Sequence, residues 1–165
     1  MKVDFDLIED RKMPIEQQHL DGIKALIDGA WGNASDLFSA RNHVRIEQNR
    51  KPKVGKQSDL NVVLEGRFEE NGWQGSDGRY FKDLTWIRFS FRHSMSLGSD
   101  FLEAFRVHKL EGFQLICLMY ADENLLQDIW PSGGQALCSY NKASAYWSQL
   151  HSVLEMPLVL GRLYI

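Results

Sequence analysis

The stretch FQLICLMY, from Phe113 to Tyr120, decides the fold because it is an almost unbroken apolar run of strand length. Such a run is typical of a β-strand covered on both faces, so it predicts a central strand of a sheet. Upstream, residues 100–112 predict a helix that ends at Gly112. Downstream, Ser139 is placed to cap another helix, and MPLVLGRLYI at the carboxyl terminus predicts a last strand.

A second informative stretch is WIRFSFRHS, residues 86–94, which alternates as a half-buried strand does. It predicts a strand, or a hairpin, between Tyr80 and Phe91. The two faces of this strand would be Ile87, Phe89 and Phe91 on one side, and Trp86, Arg88 and Ser90 on the other. Strands that alternate with helices indicate an α/β layer, so we expect at least the three C-terminal strands to share one sheet.

The N-terminal half is predicted to be mainly helical. Apolar residues at helical spacing after Pro14 predict a first helix from about residue 14 to 30. HVRIEQ, residues 43–48, alternates like a short strand, and RKPKVGK, residues 50–56, is typical of an exposed loop. Good capping residues at Ser58 and Asp59 then open a second helix, which places Glu65 near the edge of its apolar face.

Length and composition predict one folded domain. The chain has 165 residues, of which 44% are hydrophobic and 25% charged, as in ordinary globular proteins. We expect a single domain over residues 1–165, with a helix and basic loop in 1–57 and the core in 58–165. The N-terminus lacks the apolar run of a signal peptide and no segment reaches the length of a membrane span, which favours a cytoplasmic location. Cys117 and Cys138 have no metal-type spacing and are predicted to be reduced and structural.

The charge distribution contains one strong feature. The formal net charge is −3, which argues against a protein that coats nucleic acid without discrimination. Positive charge is nevertheless concentrated in one segment, which contains a single acid, Glu47. The basic residues of this segment are Arg41, Arg45, Arg50, Lys51, Lys53 and Lys56. They predict either a solvated loop or a surface that contacts a DNA backbone without reading bases.

General-purpose catalytic motifs are absent from the sequence. There is no phosphate-binding G-x-x-x-x-G-K-[ST], no G-x-G-x-x-G, no G-x-S-x-G and no H-E-x-x-H. The five histidines are scattered singly, and a single histidine is most often a surface or core residue. The order of the predicted elements is therefore the main guide to function.

That order is VVLEGRF (62–68), SDGRYFKD (76–83), WIRFSFRHS, DFLEAFRVHKLEG (100–112), FQLICLMY, NKASAYWSQLH (141–151) and MPLVLGRL (156–163). From about residue 58 to the end, it resembles the restriction endonuclease fold, specifically the BamHI and BglII branch of the PD-(D/E)XK nucleases. The resemblance implies a three-layer α/β domain with a central mixed β-sheet flanked by helices. It also implies a homodimer, because the helix that corresponds to residues 100–112 helps to form the dimer in those enzymes. Ordinary core packing is the alternative interpretation of the apolar residues of this helix.

The resemblance fails at the residues that bind metal. In that family a helix that carries Glu precedes a metal-binding Asp, and a strand with Glu-x-Glu or Glu-x-Gln follows. Carboxylates of this kind hold magnesium, which activates water for phosphodiester hydrolysis. Here the strand positions fall on Arg88 and Ser90, while Asp77 and Glu65 match the Asp and the helix Glu. A doubly charged cation about 4 Å from a guanidinium is opposed by roughly 8 kcal/mol at an effective dielectric constant of about 20. The sequence thus predicts neither catalytic residues nor a bound metal.

The predicted function is that of a catalytically inactive restriction endonuclease-like protein, which binds DNA or scaffolds a partner in a prokaryotic restriction or defence system. Arg88, with Arg92 and His93, could replace the metal as a fixed charge facing a phosphate. Alternatively, Arg88 stacks on Trp86 or pairs with Asp77 or Asp83 on a solvated sheet face. The candidate DNA-binding residues are Arg88, Arg92, His93, Arg45, Arg50, Lys51, Lys53 and Lys56.

Two other functions remain open. If the register differs, Asp77, Asp83, Lys82 and Glu65 would form the site of an active magnesium-dependent endonuclease. If the acidic overall charge is the better guide, the chain is a protein-interaction domain without a nucleic-acid role.

Overall fold

The protein is described here by a computed structural model that covers residues 1–7, 17–133 and 136–165. The first strand is followed by three helices and then by three strands, and helical segments alternate with strands in the C-terminal half. The strands are β1 (Lys2–Leu7), β2 (Gln74–Ser76), β3 (Arg79–Lys82), β4 (Thr85–Ser90), β5 (Leu115–Ala121) and β6 (Leu158–Tyr164). The helices are α1 (Gln17–Ile27), α2 (Ala30–Glu47), α3 (Gln57–Glu70), α4 (Leu97–Glu111), α5 (Glu123–Ile129) and α6 (Tyr140–Leu150), with a 3-10 helix at Ser94–Ser96.

The described strands form one mixed sheet of six, in the order β1-β6-β5-β4-β3-β2. β5 pairs in parallel with β4 on one side and β6 on the other, and all seven of its residues are buried. The outer pairs, β1 with β6, β3 with β4 and β2 with β3, are antiparallel. The predictions of a central strand at FQLICLMY and of a shared sheet for the C-terminal strands are confirmed.

Helices cover both faces of this sheet. Buried residues of α1, α2, α3 and α5 form one apolar cluster with residues of the sheet, which we call the α3-side core. Buried residues of α4 and α6 form a second cluster against the opposite face, the α4-side core. Alternate side chains of β5 contact the helices on both sides of the sheet, which gives three layers. Cys117 and Met119 point into the α3-side core, while Ile116 and Leu118 point into the α4-side core.

The two faces of β4 are as predicted, but the strand is not half-buried, because all six of its residues are buried. Ile87 and Phe89 belong to the α3-side core and Trp86 to the α4-side core, so Arg88 and Ser90 also point toward α4. The predicted ends of two helices are confirmed as well. Gly112 ends α4 with a φ of 80°, which suits glycine, and the Ser139 side chain accepts a hydrogen bond from the backbone N–H of Lys142 at the start of α6.

Two predictions for the N-terminal half were wrong, whereas the helix predicted after the basic loop is confirmed as α3, which begins at Gln57. In place of the single helix expected from about residue 14 to 30, the structure has α1, which ends at Ile27, and a separate helix α2, which begins at Ala30. Gly29, between them, has a φ of 72°. Pro14 lies outside the described residues. HVRIEQ is the end of α2 and the turn after it, not a strand. Its alternating Val44 and Ile46 are 48% and 59% exposed, so this alternation did not reflect a buried sheet face.

Two further properties concern the environment of the chain. Within the described residues, no helix combines the length and apolar character needed to cross a membrane. Cys117 and Cys138 are both free thiols and both buried, in agreement with a structural role. Burial raises the pKa of Cys138 to about 11, and the nearby charge of Asp100 acts in the same direction.

Candidate nucleic-acid interface

The strand position at which the family resemblance requires an acid holds Arg88, and its side chain is only 3% exposed. Arg88 Nη2 lies 3.0 Å from Oδ1 of Asp100, and Arg88 Nη1 donates to Oε2 of Glu103. Ser90, two residues along the same face, donates to Oδ2 of Asp100 at 2.5 Å. Asp100 and Glu103 come from adjacent turns of α4. Arg88 is therefore an internal charge neutralised by that helix.

Two more arginines extend this cluster toward the surface. Arg79 pairs with Arg88 in the register of β3 and β4, and its Nε lies 3.0 Å from Oε1 of Glu103. Arg92 Nη1 lies 3.6 Å from Oδ1 of Asp100. We call these five residues, Arg79, Arg88, Arg92, Asp100 and Glu103, the α4 ion cluster. Three cations and two carboxylates leave it with a net positive charge.

The burial of Arg88 corrects both sequence-based interpretations of this residue. It is not a fixed charge that faces a phosphate, because Asp100 and Glu103 enclose the guanidinium. It does not pair with Asp77 or Asp83 on a solvated sheet face either. Arg92 is about half exposed and His93 is exposed, so both stay candidates for contacts with DNA.

The acids proposed for an alternative metal site do not meet. Asp77 lies in the turn before β3 and Asp83 in the turn after it, and four residues of extended strand span about 13 Å. Lys82 Nζ donates a hydrogen bond to the backbone oxygen of Asn71 at 2.9 Å. Within residues 1–7, 17–133 and 136–165, no group of three acidic, histidine or cysteine side chains could hold a metal ion. The four proposed residues thus do not fit a shared magnesium ion.

Glu65 and Asp77 do approach a common neighbour, Tyr80. Burial is the main cause that raises the pKa of Tyr80 to about 12. The negative charge of Glu65 raises this pKa further, and that of Asp77 does so more weakly. Tyr80 belongs to the α3-side core, whereas Arg88 points toward α4 on the other face of the sheet. Glu65, which belongs to α3, therefore lies on the opposite face of the sheet from Arg88 and Ser90.

Part of the basic segment has a structural role. Arg41 Nη1 lies 2.6 Å from Oδ1 of Asp59, whose side chain is 1% exposed. Lys56 Nζ lies 4.8 Å from the ring centre of Trp31, a cation-π contact. Arg41 thus joins α2 to α3, and Lys56 joins the end of the basic segment to α2.

The rest of the segment is a pre-formed cationic loop. The Asn42 side chain bonds both the backbone N–H and the backbone oxygen of Lys53, at 2.8 and 3.0 Å. Arg45 Nε donates to the backbone oxygen of Lys51 at 2.9 Å. Arg50, Lys51 and Lys53 are exposed, and no salt bridge joins them to a described residue. We call Arg45, Arg50, Lys51 and Lys53 the basic surface.

The basic surface lies toward the end of the sheet where β4 terminates. The carboxyl end of α3 lies near the start of β4, because Lys82 Nζ donates to the backbone oxygen of Asn71. The loop that precedes α3 lies toward the other end of β4, because the backbone N–H of Lys56 bonds the oxygen of Ile129 at 2.9 Å. Ile129 ends α5, which directly follows the carboxyl end of β5, and β5 is parallel to β4. Arg92 and His93 follow directly after that end of β4. Two cationic regions are therefore directed to the same end of the molecule.

Replacing Arg41 by alanine should destabilise the fold without removing the basic surface. Asp59 would be left buried without its cation, and we expect a loss of about 2–3 kcal/mol in the free energy of unfolding, measured by urea denaturation. His43→Ala is the matched control, because His43 pairs with Glu47 where both side chains are largely exposed, and it should cost less than about 0.5 kcal/mol. Equal losses in the two variants would contradict a structural role for Arg41.

Sequence reasoning missed the partners of Arg88. Asp100 and Glu103 are three residues apart on α4, so they share one helix face, but the apolar residues around them made that helix look like ordinary core packing. An arginine on an otherwise apolar strand was a usable signal, because a buried guanidinium requires acids nearby.

Comparisons with known proteins support the fold. No protein-family model matches the sequence, and no curated protein does. The structure is similar to the crystal structure of restriction endonuclease BglII complexed with a DNA 16-mer, with a TM-score of 0.58 and 14% sequence identity. The similarity covers 100% of this chain and 79% of that chain. At that identity the likeness shows the fold alone: a restriction endonuclease-like α/β domain with a six-stranded mixed sheet flanked by helices.

Proposed function

We propose that this protein binds DNA through the basic surface and has lost the magnesium-dependent cleavage of the nucleases it resembles. The observation that carries the proposal is the exposed, pre-formed cationic loop toward the carboxyl end of β4. Because side chains of α2 already hold the loop, little conformational entropy is lost when it contacts a phosphate backbone. The fold is that of an enzyme seen bound to DNA, which agrees with such a role.

The proposed loss of cleavage is supported by the α4 ion cluster. Arg88 and Ser90 are bonded to Asp100 and Glu103 in the protein interior. Two carboxylates that neutralise arginines are poor ligands for a divalent ion, because the ion would compete with fixed positive charge. The proposed role is therefore to hold DNA, or to bring a partner to it, in a prokaryotic restriction or defence system.

A homodimer is part of this proposal. Two leucines of α4 are largely exposed, Leu102 at 63% and Leu110 at 77%, and a helix that exposes apolar side chains is suited to a symmetric contact. The same face would also serve a different protein partner, which is the role expected if DNA is not bound.

Cleavage is tested with supercoiled plasmid. Incubation with excess protein in magnesium or manganese should leave the plasmid supercoiled, because the described acids do not converge on one ion. Asp77→Ala and Glu65→Ala should behave as the unmodified protein does. Nicking or linearisation that disappears in Asp77→Ala would contradict the proposal and would establish an active endonuclease instead.

A further inference from the structure

A groove borders the basic surface on the side of Trp130. Its volume is about 430 Å³, within the range of about 300–1,000 Å³ that is typical of small-ligand sites. Lys53 and Val54 line one wall, Gln57 and Asn61 of α3 line a second, and Trp130 lines a third. Lys53 belongs to both the groove and the basic surface. A strand whose phosphates lie on the basic surface is thus within reach of the groove.

Trp130 is 45% exposed, whereas the buried tryptophans Trp73, Trp86 and Trp147 are each 8% exposed or less. The indole nevertheless packs against backbone. A methyl group on Gly55 would meet the ring at 3.0 Å, and one on Gly133 would meet it at 2.9 Å, so the two glycines let the backbone pack directly on Trp130. An exposed aromatic ring that already packs on backbone is suited to stacking, because part of its side-chain freedom is lost before a base binds.

The polar groups of the groove match the edge of a nucleobase. The amides of Gln57 and Asn61 each offer both donors and an acceptor, and neither side chain forms a hydrogen bond with another described residue. Amides with both functions are the groups that pair with base edges. Lys53 adds positive charge beside them, where a nucleotide would place its phosphate.

We propose that this groove binds one unpaired nucleobase of a DNA strand, stacked on Trp130, with its edge toward Gln57 and Asn61 and its phosphate toward Lys53. The inference rests on the proposed DNA-binding function and specifies the part of DNA that is recognised. A fully paired duplex presents no free base face and would contact the basic surface alone. An unpaired base adds stacking on the indole, which strengthens binding.

The test uses three duplexes of equal length, measured by fluorescence anisotropy at low salt in EDTA. One is fully paired, one has a single unpaired thymidine, and one has an abasic tetrahydrofuran residue at the same unpaired position. We expect the unmodified protein to bind the thymidine duplex about tenfold more tightly than the abasic duplex, the ratio that corresponds to about 1.4 kcal/mol of stacking. Trp130→Ala should abolish that ratio and Trp130→Phe should keep part of it, whereas Phe81→Ala, which removes an exposed aromatic ring outside the groove, should keep it in full.

The results separate the two proposals. If the unmodified protein binds the thymidine and abasic duplexes equally, or if Trp130→Ala keeps the tenfold ratio, the groove does not hold a base and this inference is overturned. Binding of the fully paired duplex would then still support the basic surface. If no duplex of the three is bound, the proposed DNA-binding function itself is overturned.

Discussion

Replacing Arg88 by methionine should lower the free energy of unfolding by about 3–5 kcal/mol. Methionine retains the apolar part of the side chain but removes from Asp100, which is 0% exposed, the buried cation that lies 3.0 Å from its Oδ1. Arg92 cannot substitute for Arg88, because it lies 3.6 Å from Asp100 and is about half exposed. Equilibrium urea denaturation followed by circular dichroism measures the loss.

Two controls assign this effect to the ion cluster. Adding Asp100→Asn to Arg88→Met removes both charges of the pair and should recover part of the lost stability, since the cost comes from an unpaired buried charge. Arg106→Met removes an arginine from a more exposed pair with Glu111 and should cost less than about 1 kcal/mol. If Arg88→Met costs no more than Arg106→Met, Arg88 is not the internal charge that the structure describes.

The sheet and its flanking helices could be predicted because their signals are local. The apolar run of β5 arises because helices cover both faces of that strand. The alternation of β4 arises because its two faces point toward different apolar cores. Ser139 and Gly112 mark helix ends through their own hydrogen bonding and backbone conformation. The resemblance to restriction endonucleases rested on the order of these elements, and the similarity to BglII confirms it at the level of the fold.

The missed features depend on distant contacts. β1 becomes a strand by pairing with β6, more than 150 residues away along the chain, which no local pattern shows. HVRIEQ alternates like a strand, yet it belongs to the end of α2 and the turn after it. That helix packs into the α3-side core through Ala30 and Ala34, which lie four residues apart on one helix face. Arg88 could be identified as unusual from the sequence, but its neutralisation by Asp100 and Glu103 requires α4 to pack on the face of β4 that holds it.

Removing the charge of the basic surface should weaken DNA binding about 10- to 100-fold at low salt. The variant is Arg50→Ala with Lys51→Ala and Lys53→Ala, three exposed cations that have no salt bridge to a described residue. Each phosphate contact contributes about 0.9 to the slope of log affinity against log salt concentration, so the slope should become shallower by about 3. Fluorescence anisotropy with a fully paired duplex measures both quantities.

A charge-matched control shows whether position or net charge matters. Lys2, Lys24 and Lys109 lie outside the basic surface, and changing all three to alanine alters the net charge by the same amount. This control should bind DNA within about twofold of the unmodified protein, because only contacts with phosphates release counterions. Equal weakening of the two triple variants would show that DNA responds to overall charge and not to the surface defined here.

The measurement that tests DNA binding without a metal most directly is the affinity of the unmodified protein for a paired duplex in EDTA across a range of salt concentrations. We expect binding at low salt without any divalent ion, with a log–log slope of about −3 to −4 from the four cations of the basic surface. No binding at low salt, or binding that appears only when magnesium is added, would contradict the account.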